Sequence, residues 1–357
     1  MRFRLTRREL TRVAVTLGMS LCGGLAAQAI GLPAGWISGG LLAVAIGSLA
    51  GYDTKFPRGW SAPVFLVLGV YSGTGVTQET LQQMQTWPAS FAILGLSLVG
   101  LIAGSYWWLH GRCGWSRNDA LLSSLPGALS FVIAAAEGLK ADMKKVAIAQ
   151  SIRLIVLIEA IPLVAFLVGH PEPAPATLAG RPVAGARELL ILFAAGIVAS
   201  LAMNRLKLPG GWILGGLFAS ATLLLTGAVD VRLPAFLVVP CSIALGAIAG
   251  SRFRPGDLAL LPRLAAPAFG AFLIAIALST AGAVAVTLFF GVNIIQTLLA
   301  FAPGALEALT VLAFQMNIDP AYVAAHHVVR FIAIVIAVPL VARWLARRAM
   351  AERDDPG

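Results

Sequence analysis

Apolar residues fall along this chain in runs of roughly 17–25, the length a helix needs to cross about 30 Å of hydrocarbon. The runs occupy 10–31, 35–51, 60–77, 87–110, 144–168, 187–204, 211–229, 234–251, 263–290 and 321–345, with short polar stretches between them. Two more apolar stretches, 119–139 and 296–315, differ because each is interrupted near its start, at Pro126-Gly127 and Pro303-Gly304. Proline has no N–H to donate and glycine tolerates dihedrals other residues resist, so each pair predicts a break after which a half-helix begins. The pattern therefore predicts an all-α, polytopic membrane protein with about ten spans and two re-entrant or broken Pro-Gly helices.

Composition points the same way. Of 357 residues, 59% are hydrophobic and 12% charged, more apolar surface than a water-soluble globule of this length can bury. A net charge of +10 would suggest nucleic acid in a soluble protein. Here most Lys and Arg sit in short loops beside spans, where topology accounts for them, and no nucleic-acid partner is expected. Cys22, Cys113 and Cys241 fall in or beside different spans, without the paired spacing of a metal site or disulfide framework. The basic segment Arg2–Arg12, followed by an apolar run ending in Ala-Ala-Gln-Ala, has the look of a cleavable signal peptide.

An internal repeat argues that this first run is retained as a span. At an offset of 176 to 177 residues, Leu32-Pro33-Ala34-Gly35-Trp36-Ile37 recurs as Leu208-Pro209-Gly210-Gly211-Trp212-Ile213, and Gly39-Gly40-Leu41 as Gly215-Gly216-Leu217. Gly69 and Gly73 recur as Gly246 and Gly250, Pro126-Gly127-Ala128-Leu129 as Pro303-Gly304-Ala305-Leu306, and Asp142 as Asp319. Arg153 recurs as Arg330, and Pro162-Leu163-Val164-Ala165 as Pro339-Leu340-Val341-Ala342. Shared membrane composition would give similar residue types, not identical words in one order. The run 187–204 occupies in the second copy the place of 10–31 in the first. Four units follow: a first transmembrane repeat over 1–170, a linker over 171–186 holding Pro171, Pro173, Pro175 and Pro182, a second repeat over 187–348, and a polar tail over 349–357.

The distribution of basic residues bears on how the copies face. If both Pro-Gly segments dip in and return on one side, each repeat has five crossings and the second is inverted. With a cytoplasmic N-terminus, 21 of the 26 Lys and Arg then lie inside, Arg181, Arg187 and Arg232 outside, and Arg153 and Arg330 within spans. If the segments crossed, the split would be 16 inside against 8 outside. The positive-inside rule favours two inverted repeats of five, a bacterial inner-membrane location and both termini in the cytoplasm.

Candidate chemistry gathers at the breaks and in the helices that follow them. Irregular backbone at membrane depth persists only when packed in protein or lining a wet cavity, and a helix N-terminus there presents free N–H groups suited to an anion. That makes Ser123, Ser124, Pro126, Gly127, Pro303 and Gly304 candidate substrate-binding positions. Arg153 and Arg330 lie about ten residues into their spans, where an unpaired guanidinium is costly. Their compensation is either an acidic neighbour such as Glu137, Glu159 or Glu307, or a bound carboxylate or phosphate in a bidentate contact. One turn before each arginine stand Gln150 and His327, on the same helix face, with His326 four residues before Arg330. Adjacent His326 and His327 point about 100° apart and do not suit one metal. No metal or cofactor is expected, and neither a phosphate-binding loop nor a Ser-His-Asp set supports catalysis. Glu307 and His327 are the candidates for handling a proton. Gly69, Gly73, Gly246 and Gly250 have the small-xxx-small spacing that lets helices approach closely.

The Leu-Pro-x-Gly-Trp-Ile-x-Gly-Gly words, the Pro-Gly-Ala-Leu elements and the basic-then-apolar helices with a midspan arginine, each present twice, resemble the AbrB-type duplicated bacterial membrane proteins over nearly the whole chain. Members of that family carry labels as ammonia monooxygenases, as regulators of gene expression and as transporters. Inverted units with re-entrant elements are also similar in architecture to the bacterial citrate and glutamate symporters, by analogy only. The expectation that follows is a secondary transporter of a small organic anion, coupled to protons or sodium, with a midplane site holding Gln150, Arg153 and Arg330. The rival is a membrane sensor acting on gene expression without moving solute. The expected partners are the anion, the coupling ion and the lipid bilayer, with self-association left open.

Overall fold

The computed structural model describes residues 6–127, 132, 141–167, 180–252 and 260–354. Glu137, Lys140 and the linker prolines 171, 173 and 175 lie outside the described residues. Among the described residues the chain is helical, with one isolated bridge between Val183 and Arg232 and no strand. The first copy contains α1 (Arg7–Ala29), α2 (Gly35–Leu49), α3 (Ser61–Gly73), a short α4 (Gln78–Gln83), α5 (Trp87–Tyr106), α6 (Arg117–Ser124) and α7 (Met143–Leu167). The second contains α8 (Ala186–Arg205), α9 (Gly211–Leu225), α10 (Ala235–Gly250), α11 (Leu261–Phe290), α12 (Ile294–Phe301), α13 (Leu306–Gln315) and α14 (Pro320–Asp354).

Six helices are long and apolar enough to cross a bilayer: α1, α5 with its continuation to Arg112, α7, α8, α11 and the first half of α14. The other four expected spans form helices of 13 to 16 residues, α2, α3, α9 and α10, shorter than the runs that announced them. Local chemistry sets their starts: the residue before α2 and α9 is Ala34 or Gly210, both in the left-handed region at φ 53° and 62° after Leu-Pro. Burial compensates for length, since residues such as Ile37, Leu41, Ile213, Leu214 and Leu217 are removed from any solvent.

The sequence repeat is also a packing repeat. Helix α1 packs on α2 as α8 packs on α9; α3 lies against α9, and α2 against α10. The glycine pairs make those crossed contacts. A Cβ on Gly69 would lie 2.2 Å from the carbonyl oxygen of Ile213, and one on Gly73 would lie 2.3 Å from that of Leu217. In the mirrored pair, Gly246 and Gly250 sit against the carbonyls of Ile37 and Leu41 at 2.8 and 2.6 Å. Backbone meets backbone at both places, so any side chain would force the helices apart. The two copies are thus interleaved rather than laid side by side, with α5 against α11 near the centre.

Residues flanking each broken segment lie close together. The Oδ1 of Asp119, in the first turn of α6, accepts the N–H of Asp142 at 2.7 Å, and its Oδ2 pairs with Lys145 at 3.2 Å at the start of α7. In the second copy Gln296 at the start of α12 and Asn317 and Asp319 after α13 line one cavity of about 180 Å³. At one end of the bundle Arg181 reaches Asp230 at 2.9 Å and the carbonyl of Thr74 at 2.8 Å. Elsewhere Arg12 pairs with Asp53 at 2.6 Å.

Candidate functional site

The two breaks meet. A Cβ built on Gly127, whose φ of 83° favours glycine, would lie 3.3 Å from the carbonyl oxygen of Gly304 and 3.6 Å from Nη2 of Arg330. Around this junction is a cavity of about 300 Å³. Its buried floor is made by Pro126, Pro303, Gly304, Gln150, Arg153, His327 and Arg330, and its partly exposed rim by Pro209, Gly210, Arg252 and Glu307.

The arginines are held by backbone. Arg153 donates from Nη2 to the carbonyl of Leu125 at 2.6 Å and to Oε1 of Gln150. Gln150 in turn donates from Nε2 to the carbonyls of Leu125 at 2.9 Å and Leu122 at 3.2 Å. Arg330 donates to the carbonyls of Ala302 and, at 2.7 Å, Gly304, and to Nδ1 of His327 at 2.5 Å. The Nε2–H of His327 donates to the carbonyl of Leu299 at 3.1 Å. Leu125 and Ala302 are the C-terminal caps of α6 and α12, so each guanidinium sits where a helix ends and its last carbonyls lack partners. A cation there also meets the negative end of the helix dipole.

Among the described residues the two guanidiniums are compensated by carbonyls and by Gln150 and His327. Among the described residues no acidic side chain pairs with Arg153 or Arg330. Glu159 has a buried Oε1 without a hydrogen-bond partner. The arrangement also fits glutamine and histidine at equivalent positions: an amide and a neutral imidazole each offer both donor and acceptor, and here both link an arginine to the end of the half-helix, the amide through two N–H groups and the imidazole through one. With Nε2 donating and Nδ1 accepting, a second proton on His327 would confront the Arg330 N–H. In this arrangement the imidazole bridges Arg330 and the Leu299 carbonyl.

Most of the residues singled out in the sequence line the cavity: Pro126, Gly127, Gln150, Arg153, Pro303, Gly304, Glu307, His327 and Arg330. Ser123 and Ser124 do not. They belong to α6, before the break; Ser124 bonds back to the carbonyl of Ala120 at 2.7 Å and Ser123 is buried without a partner. His326 also faces away, toward α5, where its Nε2 meets Ser90 Oγ at 2.7 Å and Phe91 packs against its ring.

Arg252 was hidden among the loop charges and has no basic counterpart, since Gly75 occupies its place in the first copy. Burial pushes its guanidinium below the usual arginine range, and the Glu307 carboxylate opposes that shift. At Gly75 the vacated space is filled by the ring of Phe314, which would lie 2.2 Å from an added Cβ and packs edge-on against Tyr71 at 4.6 Å. The two copies are therefore unlike at this position: a charged side chain on the cavity rim in one, an aromatic ring in the other.

Residues 36–346 match the family model described as transition state regulatory protein AbrB. The chain is similar to the protein named "Putative regulator AbrB" of Escherichia coli (strain K12), at 26% identity over 325 residues, covering 90% of this chain and 92% of that one. It is also similar to the protein named "Uncharacterized protein YhjN" of Bacillus subtilis (strain 168), at 24% identity over 357 residues, covering 92% of each.

Proposed function

The chain belongs to the AbrB family, and from that premise we propose that it is a secondary transporter of a small organic anion, driven by a proton or sodium gradient. The observation that carries the reading is the cavity at the junction of the two breaks, where two buried arginines, one from each copy, face open space without an acidic partner among the described residues. Two guanidiniums held at membrane depth by neutral groups, without a formal counter-charge among the described residues, favour a bound anion. Paired broken helices from two repeats supply the two-sided setting in which a site can be exposed to either side in turn.

The topology belongs to the same proposal: two inverted units of five crossings, each with a re-entrant Pro-Gly element. Support comes from the closeness of Asp119 to Asp142, and of Gln296 to Asp319, which brings residues flanking each broken segment together. On this topology the rim at Pro209, Gly210 and Arg252 faces the cytoplasm, together with both termini, and Phe314 lies toward the outer side. Glu307, the carboxyl on the cavity rim, or His327, on its floor, is the proton-handling group, since both line the cavity. The regulatory word in the names of the family and the Escherichia coli relative fits a transporter whose cargo alters gene expression indirectly.

The test is uptake into liposomes. Purified protein offered labelled small carboxylates under an imposed pH or sodium gradient is expected to accumulate at least one of them; accumulation of none, by protein that is folded and correctly inserted, overturns the transport reading. A sensor that moves no solute would give that second result.

A further inference from the structure

The charges around the cavity point to a narrower class of cargo. Three guanidiniums line it, those of Arg153, Arg330 and Arg252, against one carboxylate, that of Glu307. The C-termini of α6 and α12 each contribute about half a negative charge and the N-terminus of α13 about half a positive one. What remains uncompensated is between about one and two positive charges, in a pocket whose floor excludes water.

The donors come from two side chains. A guanidinium has five N–H groups. Arg153 uses two of them, on Leu125 and Gln150, and Arg330 three, on Ala302, Gly304 and His327, so both retain free donors. Both line the same cavity: Nη2 of Arg330 is 3.6 Å from the Cβ position of Gly127, and Arg153 holds the carbonyl two residues earlier, at Leu125. They come from separate copies, so a ligand that reaches both also joins the two repeats. A volume of about 300 Å³ is at the small end of ligand cavities.

Resting on the anion-transport reading, we infer that the cargo is a short dicarboxylate, held with one carboxylate on Arg153 and the other on Arg330. A monocarboxylate would leave one arginine unanswered, and a compact tetrahedral dianion would bring both charges to a single point. The pairing also makes binding sensitive to the distance between the two carboxylates, which distinguishes it from simple attraction to a positive patch.

The test compares succinate with butyrate, malonate, glutarate and sulfate, measured by heat of binding to the purified full chain and by competition for uptake into liposomes. Succinate or one of its neighbours in length is expected to bind at least about tenfold more tightly than butyrate, as a second charge-assisted contact would give. Arg153→Lys and Arg330→Lys, checked for folding by their elution and melting profiles, are expected each to reduce that preference to about threefold or less, because lysine keeps the charge and loses the fork. Equal binding of butyrate and the dicarboxylates, with uptake intact, overturns the two-carboxylate inference and leaves anion transport standing. Sulfate competing as well as the best dicarboxylate overturns the two-sided geometry. Absence of uptake and binding for every carboxylate overturns the transport reading and this inference with it.

Discussion

The arginine clamps of the two copies are built alike and equipped differently. In the first, Arg153 and Gln150 bind the end of α6; in the second, Arg330 and His327 bind the end of α12. Beyond the clamp the copies part. The second has Glu307 in the first turn of α13 and Arg252 across the cavity, whereas the place of Arg252 in the first copy is taken by Gly75 and the Phe314 ring. The shared part does what any broken helix needs, supplying donors to carbonyls that have lost their helical partners. The unshared part places a cation and a carboxylate at the cavity from one copy and an aromatic ring at the equivalent place in the other, so the two halves are alike in their clamps and unlike around them.

The largest effect is expected from removing either guanidinium. Arg153→Ala and Arg330→Ala should each cost about 2–5 kcal/mol, Arg330 at the upper end. There two carbonyls and His327 Nδ1 lose their donor at once, whereas the Leu125 carbonyl keeps Gln150 when Arg153 is removed. Thermal melting of detergent-purified protein checks this, and a tolerated Arg153→Ala beside a ruinous Arg330→Ala would break the equivalence of the clamps. Next come the bridging partners: Gln150→Ala and His327→Ala should each lower stability by about 1–3 kcal/mol, seen in the same melts. Glu307→Gln acts on the unshared part. It should leave melting within about 0.5 kcal/mol, since the residue is on the partly exposed rim, while uptake loses its response to an imposed pH gradient and keeps its response to cargo concentration. The smallest effect is expected for exchanging the bridges, Gln150→His with His327→Gln. If each acts only as a donor and acceptor pair, the melting cost should stay under about 1 kcal/mol. A loss as large as that of the alanine variants would mean that the imidazole does something an amide cannot.

The repeated words made much of this legible. They identified the breaks, the arginines one turn after Gln150 and His327, and the small-residue pairs that lock α3 to α9 and α10 to α2. What stayed hidden was whatever has no letter of its own. The partners of the arginines are the carbonyls of Leu125, Ala302 and Gly304, and a backbone oxygen is the same in every residue. Reading the neighbourhood for acids therefore pointed, among the described residues, to Glu159 and Glu307, which pair with neither arginine. Arg252 was legible as a charge but not as part of a site, because a basic residue just past a span is also what topology requires. Ser123 and Ser124 erred in the other direction: polar letters beside a break are turned back into their own helix or buried beside it. Helix length misled where apolar runs continued into loops, as after α2 and α9.

The glycine-lined contacts between the copies also bear on how the protein is made. Gly69 and Gly73 present a strip of bare backbone on α3 that is filled by Ile213 and Leu217 of α9, a helix the ribosome has not yet produced when α3 enters the membrane. The nascent first half must wait in lipid with that groove vacant, and long-range closure of this kind is slow and exposes the chain to wrong partners. Each half is thus the other's missing wall. Halves divided near residue 175 and synthesised together should find one another, whereas either produced alone should be cleared by membrane proteases.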